Sequence, residues 1–372
     1  MSAIRAHLSF DIFCRVIDNY GDAGVCWRLA RQLAGAPHNA QVRLWIDDPS
    51  RLAAFEPRLK PGVREQHLDD VCIRHWNDAA ANVVPHRVVI EAFACDPPAA
   101  FGRGASHASL WINLEYLSAE AWVDSFHGQP SLQADGRRKF FFFPGFTAAT
   151  GGLLREPGLL ATRDAWNANP ANRVQLLQSL GLDSGTIAAL QDGRRQVILF
   201  SYAHAPAAQL VHELGSCRHG ATVLVPRGVC PGLAREGHGK VTVVDIPFVD
   251  QPGFDRLLWS SDLNAVRGED SFLRGLWAGK PMLWHIYPQE DNAHWPKLQA
   301  WLAGSPLPPD AIQANEGWNA PAGSWRDHCL LPAENAWPEW QQAMHDWATT
   351  LAGQEDLVTR LVRFCTLHAV SG

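Results

Sequence analysis

The sequence predicts an α/β protein of two doubly wound, Rossmann-like domains, and three observations predict it. The chain has 372 residues, 47% of them hydrophobic, enough for two cores of ordinary size. Short β-rich runs alternate with helix-forming stretches, which implies parallel sheets covered on both faces. The alternation pauses in a polar segment and then starts again.

Taken in order, a buried strand is expected over 8–17 (LSFDIFCRVI), then a turn, DNYGDAG, then an amphipathic helix over 24–34. Further strands are expected at 42–46, 87–92 and 109–113, and the Phe run 140–143 reads as a short buried strand. The polar stretch 155–195 reads as a linker with one helix. The second series places strands at 196–202, 222–226, 241–245, 262–266 and 281–285, with helices over 206–215, 271–278 and 291–303. The expected division is therefore 1–160, a linker and helix at 161–195, a second domain at 196–335, and Trp-rich helices at 336–372 that could pack back on the first domain.

Composition excludes several function classes. A net charge of −6 argues against an electrostatic grip on nucleic acid, so no direct nucleic-acid partner is expected. The 8 cysteines form no C-x-x-C and show no zinc spacing, which fits reduced thiols in the cytoplasm. The start of the chain lacks the pattern of a signal peptide, and its longest apolar runs are too short to span a bilayer, so no membrane partner is expected either.

Two constellations could carry chemistry. The first, 18–24, lies at the carboxyl end of the first strand, where open α/β sheets bind ligands. Asp18 and Asp22 supply carboxylates, and Gly21 and Gly24 permit tight turns. The plain alternative makes Asp22 an N-cap and Asp18 a turn former. The second is RGEDS, 267–271, between a strand and a helix. Arg267 has a planar fork suited to a diphosphate, and Asp270, Ser271 and the helix-start amides could meet a phosphate. Glu269 could hold a sugar hydroxyl or orient a cation. Here the plain alternative is a capped helix with a surface ion pair. Neither G-x-G-x-x-G nor Walker A is present, which disfavours an NAD-dependent oxidoreductase. Carboxylates in one domain and Arg with helix-start amides in the other suit a nucleotide-sugar transfer across a cleft between facing domains.

At DIFCRVIDNYGDAGVCWRLARQLA (11–34) the chain resembles the EarP family of protein-arginine rhamnosyltransferases. The likeness continues at IEAFACDPP (90–98), WINLEYLSAEAWV (111–123), FFFPGFTAATGG (141–152), LFSYAHAP (199–206), FVDQPGFD (248–255) and the run 267–298. The resemblance implies a GT-B glycosyltransferase fold of two facing Rossmann-like domains, with the active site in the interdomain cleft. It implies an inverting transfer of L-rhamnose from dTDP-β-L-rhamnose to an arginine of translation elongation factor P, in support of translating proline runs. Neither a metal nor any other cofactor is implied.

The same resemblance distributes roles. Asp22 would be the catalytic base, Asp18 would orient the acceptor guanidinium, and Glu269 would act from the other domain. Donor contacts would be Gly21, Phe200, Tyr202, Phe248, Gln251, Phe254, Arg267, Asp270, Ser271 and Tyr287. Aromatic rings suit a flat thymine, and Gln251 can pair with its edge. Acceptor contacts would be Asp18, Asp22, Glu115 and Tyr116, with Trp111 a further candidate. Core packing is the alternative for each lone aromatic. Two other readings stay open: a GT-B transferase with another nucleotide sugar or acceptor, and a non-catalytic nucleotide-sugar-binding protein.

Overall fold

The computed structural model describes residues 8–78, 83–104, 109–134, 136–289, 292–321, 324 and 328–369. Residue 291, where the sequence reading began one helix, and residues 370–372, the end of its last helical segment, lie outside them. The chain divides into two compact units, 1–157 with 354–372, and 158–353.

The first unit holds an eight-stranded sheet. Its strands are β1 (Ser9–Cys14), β2 (Gln41–Ile46), β3 (Glu65–Leu68), β4 (Val71–His75), β5 (Val88–Ala92), β6 (Leu110–Leu114), β7 (Pro130–Ser131) and β8 (Lys139–Phe142). Their order is β3-β4-β2-β1-β5-β6-β8-β7, with only the edge strands β3 and β7 antiparallel to their neighbours. Counting the parallel strands alone, the order is third-second-first-fourth-fifth-sixth, the Rossmann order. β1 pairs with β2 through Ile12 and Leu44 and with β5 through Ile12 and Ile90. The chain therefore reverses its winding between β1 and β5, and the loop after β1 sits at that switch point.

Apolar β-branched and aromatic residues make these central strands, because both faces are covered. Phe13, Trp45, Trp76, Phe101 and Trp111 form one buried cluster, with Phe13 stacked on Trp45 at 5.7 Å. The helix Gly21–Ala34 is buried on nearly every side. Its buried Gln32 is tied to the chain's last segment and to the segment after β8: Nε2 donates to Asp356 at 2.8 Å and to the Arg155 carbonyl at 2.9 Å. The final helix, Leu357–Ala369, thus completes this unit, while Trp337–Ala352 belongs to the other. The segment 336–372, read from sequence as one element group, is divided near Gly353.

The second unit has a five-stranded parallel sheet of β9 (Arg195–Leu199), β10 (Ala221–Pro226), β11 (Val241–Ile246), β12 (Leu263–Arg267) and β13 (Met282–His285). The order β11-β10-β9-β12-β13 repeats the same winding, with its switch point between β9 and β12. Residues 161–195 are not a linker with one helix. They fall in the helices Leu159–Asn167, Pro170–Ser179 and Ser184–Gln191 and the first residue of β9, all within this unit. Asn169 and Asp183 cap the second and third helices. Much of the tryptophan excess is spent on cores: Trp284 packs edge-on against Trp301 at 5.3 Å, and Trp301 stacks on Trp347 at 5.9 Å.

Candidate active site

In the first unit the loop after β1 folds around a carboxylate. The Ile17 and Asp18 N–H groups donate to Asp22 Oδ2 at 2.7 and 2.8 Å. Asp22 is 3% exposed and Asp18 8%. Asp22 therefore does not cap the helix. The N-cap residue is Tyr20, without a side-chain cap bond, and Asp22 reaches back to hold the turn. The Gly21 N–H donates to the Asp18 carbonyl at 2.7 Å, and a Cβ at Gly21 would lie 2.7 Å from Asp18 Oδ2. Glycine is needed here to leave room for the Asp18 carboxylate.

Burial is the main reason the Asp22 carboxyl is pushed up, to about 6, against the two amide hydrogen bonds that favour its charged form; Asp18 and Asp47 add like charge. Asp47, just past β2, is a member of this site that the sequence reading missed. Its Oδ1 accepts from the Val16 N–H at 2.9 Å and so braces the same loop.

At the ends of β5 and β6, Phe93 and Ala94 both adopt left-handed backbone, with φ of 58° and 51°. Such residues are strained, and the surroundings must hold them. Asn113 does so: its Oδ1 accepts from the Ala94 N–H at 3.2 Å, while its Nδ2 donates to Glu115 Oε1 at 2.6 Å. Phe93 in turn stacks on Tyr116 at 4.3 Å. Glu115 and Tyr116, both half-buried, are thus brought together. Trp111 is not with them. It is a core residue, 1% exposed, under the Arg137 guanidinium, because its strand position points into the sheet's covered face.

In the second unit the three strand ends nearest the switch point converge. Phe200 follows β9, Arg267 ends β12, and Tyr287 follows β13. The Arg267 guanidinium lies over the rings of Phe200 and Tyr202 at 4.6 and 4.8 Å. Phe200 meets Phe254 edge-on at 5.4 Å and Phe248 at 6.3 Å. Tyr202 meets Tyr287 at 5.6 Å. Gln251 opens the helix Gln251–Ser260, capped by Asp250, whose side chain accepts from the Gly253 N–H.

The RGEDS turn differs in detail from its sequence reading. Glu269 is the N-cap residue of the helix Asp270–Ala278, and its own side chain makes no capping hydrogen bond. Ser271 does not serve as a cap. Its hydroxyl donates to the Arg267 carbonyl and accepts from the Arg267 N–H, closing the turn on itself. Gly268 takes φ 56°, a left-handed position that glycine adopts without strain. Asp255 and Arg274, unremarked in the sequence, form a buried bidentate pair at 2.8 and 2.6 Å that ties the helix carrying Gln251 and Phe254 to the helix of this turn.

The first unit can therefore offer a buried carboxylate pushed up to about 6, and the second an aromatic enclosure around the Arg267 guanidinium. The eight cysteines are free thiols. Among the described residues no helix is long and apolar enough to cross a membrane.

Comparisons with known proteins show the family and the fold. Residues 10–366 match the family described as "Elongation-Factor P (EF-P) rhamnosyltransferase EarP". A protein-arginine rhamnosyltransferase of Pseudomonas putida is 46% identical, covering 96% of this chain and 98% of its own. Its counterpart in Neisseria meningitidis is 36% identical over 96% and 97%. A solved structure described as the basis for EarP-mediated arginine glycosylation of translation elongation factor EF-P superposes with a TM-score of 0.61 at 35% identity, covering 96% of this chain and 98% of that one. A glycosyltransferase from Rickettsia africae shares the fold at 9% identity, with a TM-score of 0.54 and coverage of 98% and 99%.

Proposed function

The chain belongs to the EarP family of elongation-factor-P rhamnosyltransferases, and we propose that it transfers L-rhamnose from dTDP-β-L-rhamnose to one arginine side chain of elongation factor P. The transfer inverts the anomeric carbon and gives an α-rhamnosyl arginine. It supports translation of proline runs, and the enzyme works in the cytoplasm. The observation that carries the reading is Asp22: a buried carboxylate at a switch point, raised to about 6 in a chain of this family.

The chemistry has to overcome a poor nucleophile. A guanidinium has a pKa above about 12, so a carboxylate near 6 cannot deprotonate it beforehand. Proton loss to Asp22 therefore accompanies attack. A terminal nitrogen of the arginine forms the new bond to the anomeric carbon, the bond from that carbon to the diphosphate oxygen breaks, and the nitrogen's proton ends on Asp22. Asp18 orients the guanidinium and Glu269 assists from the second unit. Arg267 and the amides at the start of the helix Asp270–Ala278 receive the charge of the departing dTDP, a task that needs no metal or other cofactor in this reading. The aromatic rings around Phe200 hold the thymine, with Gln251 on its edge. Transfer requires the two units to bring these groups to one anomeric carbon.

The test is a donor panel of dTDP and UDP sugars with unmodified elongation factor P, read by intact mass and peptide mapping. The reading predicts a gain of one deoxyhexose on a single arginine with dTDP-L-rhamnose alone. Transfer from another donor, or to another residue, would replace it with a different GT-B transferase; dTDP binding without product would leave a sugar-nucleotide binding protein.

A further inference from the structure

His285, the last residue of β13, is 3% exposed and has no assigned role. It reaches past the intervening β12 to the loop after β9, where the Tyr202 N–H donates to its Nδ1 at 3.3 Å. Its own carbonyl accepts from the Gly268 N–H at 3.1 Å, in the turn after β12. The imidazole is enclosed by Tyr202 at 5.3 Å, His204 at 4.6 Å and Trp318 at 6.0 Å. Asn319 clamps the backbone on both sides of it. Its Oδ1 accepts from the Ile286 N–H at 3.0 Å, and its Nδ2 donates to the Trp284 carbonyl at 2.7 Å. One residue thus joins the three segments that carry Phe200 and Tyr202, Arg267, and Tyr287.

We propose that His285 is a positioning residue of the donor site: through Nδ1 it fixes the backbone after β9 and thereby sets the aromatic wall, and the guanidinium stacked on it, that meet the nucleotide. This inference rests on the reading of the second unit as the dTDP-sugar site. The contact requires an unprotonated Nδ1. The surroundings favour a neutral ring, since burial first, and then His204, Arg267 and His294, push the imidazole down to about 3, and the Tyr202 N–H aimed at Nδ1 selects the tautomer protonated on Nε2. A buried N–H deprived of its acceptor is costly, so the loop would move to satisfy it, carrying Tyr202 and the Arg267 stack with it.

Two substitutions separate this contact from simple packing. In His285→Asn the amide oxygen takes the place of Nδ1, and the ring is lost. In His285→Phe the ring volume stays, and the acceptor is lost. Calorimetric titration with dTDP should show H285F weakened about tenfold and H285N within about threefold of wild type, with both variants melting cooperatively. The reverse ranking, or equal affinities in all three proteins, would overturn the proposal. Nitrogen NMR of the wild-type histidines provides a check that needs no variant to fold: His285 should show an unprotonated, hydrogen-bonded Nδ1 across pH 6–8, and a protonated Nδ1 would overturn the contact. Wild-type protein that binds no dTDP would overturn the donor reading and the role of His285 with it; tight wild-type binding with an unaffected H285F would overturn His285 alone.

Discussion

At the scale of single residues, Asp22 makes the account quantitative. Its carboxyl sits at about 6 rather than the ordinary 3.8, chiefly because it is buried. The kcat/KM for the acceptor, which reports the free enzyme, should therefore rise with pH through an ionisation near 6; a limb near 4 in that profile would dismiss Asp22 as the base. The sign for stability runs the other way. A folded pKa above the unfolded one means that the native state holds the extra proton, so Asp22 subtracts stability as pH rises from about 4 to about 6. Gly21 supplies a second residue-scale test. Gly21→Ala would force Asp18 Oδ2 away from a Cβ 2.7 Å distant. Turnover should fall at least about tenfold while dTDP affinity stays unchanged, since the clash lies in the first unit. Weakened dTDP binding with normal turnover would instead make Gly21 a donor contact.

At the scale of elements, the Asp255–Arg274 pair holds the donor-side helices in register. Arg274 is 2% exposed, and removing one member of a buried pair leaves the other charge uncompensated. Arg274→Ala should cost about 3–5 kcal/mol in urea unfolding of the second unit. A loss below about 1 kcal/mol would show the pair to be dispensable. This pair illustrates what the sequence hides. Its members stand 19 residues apart on two helices, and no local pattern couples them. The strands were legible because runs such as VVIEA and ATVLV are dominated by apolar and β-branched residues that alternate onto both covered faces. The hairpin of β3 and β4 was not, because both strands are short and the polar run EQHL of β3 carries no alternating apolar signal, although Val71 and Ile73 of β4 do alternate inward. Sequence placed the RGEDS turn at a strand end, but could not show that the Ser271 hydroxyl is turned onto Arg267's own backbone. Trp111 follows its core-packing alternative: all five residues of β6 are buried, so neither face of that strand offers an aromatic ring to a partner.

At the scale of the whole molecule, chain order and physical unit do not coincide. The last helix completes the first unit by burying Leu357, Val358, Leu361 and Cys365, and Asp356 just before it accepts from Gln32. Ending the chain at Gly353 should abolish the first unit's cooperative melting and all transfer, while the second unit still binds dTDP. Retained transfer by that truncated protein would contradict the division. Sequence composition could not show this, because the tail resembles its neighbours and only tertiary contacts assign it.

The central claim is that the buried carboxylate of Asp22 takes the proton from the attacking arginine. The most direct measurement is single-turnover transfer by Asp22→Asn, with dTDP-L-rhamnose affinity and melting temperature recorded on the same preparation. Asparagine keeps an oxygen for the Ile17 and Asp18 amides, so the loop should stay folded. The account predicts unchanged donor binding, equal or higher heat stability at pH 7, and a rate lower by about 10²–10⁴. A rate within a few-fold of wild type, with donor binding intact, would contradict it.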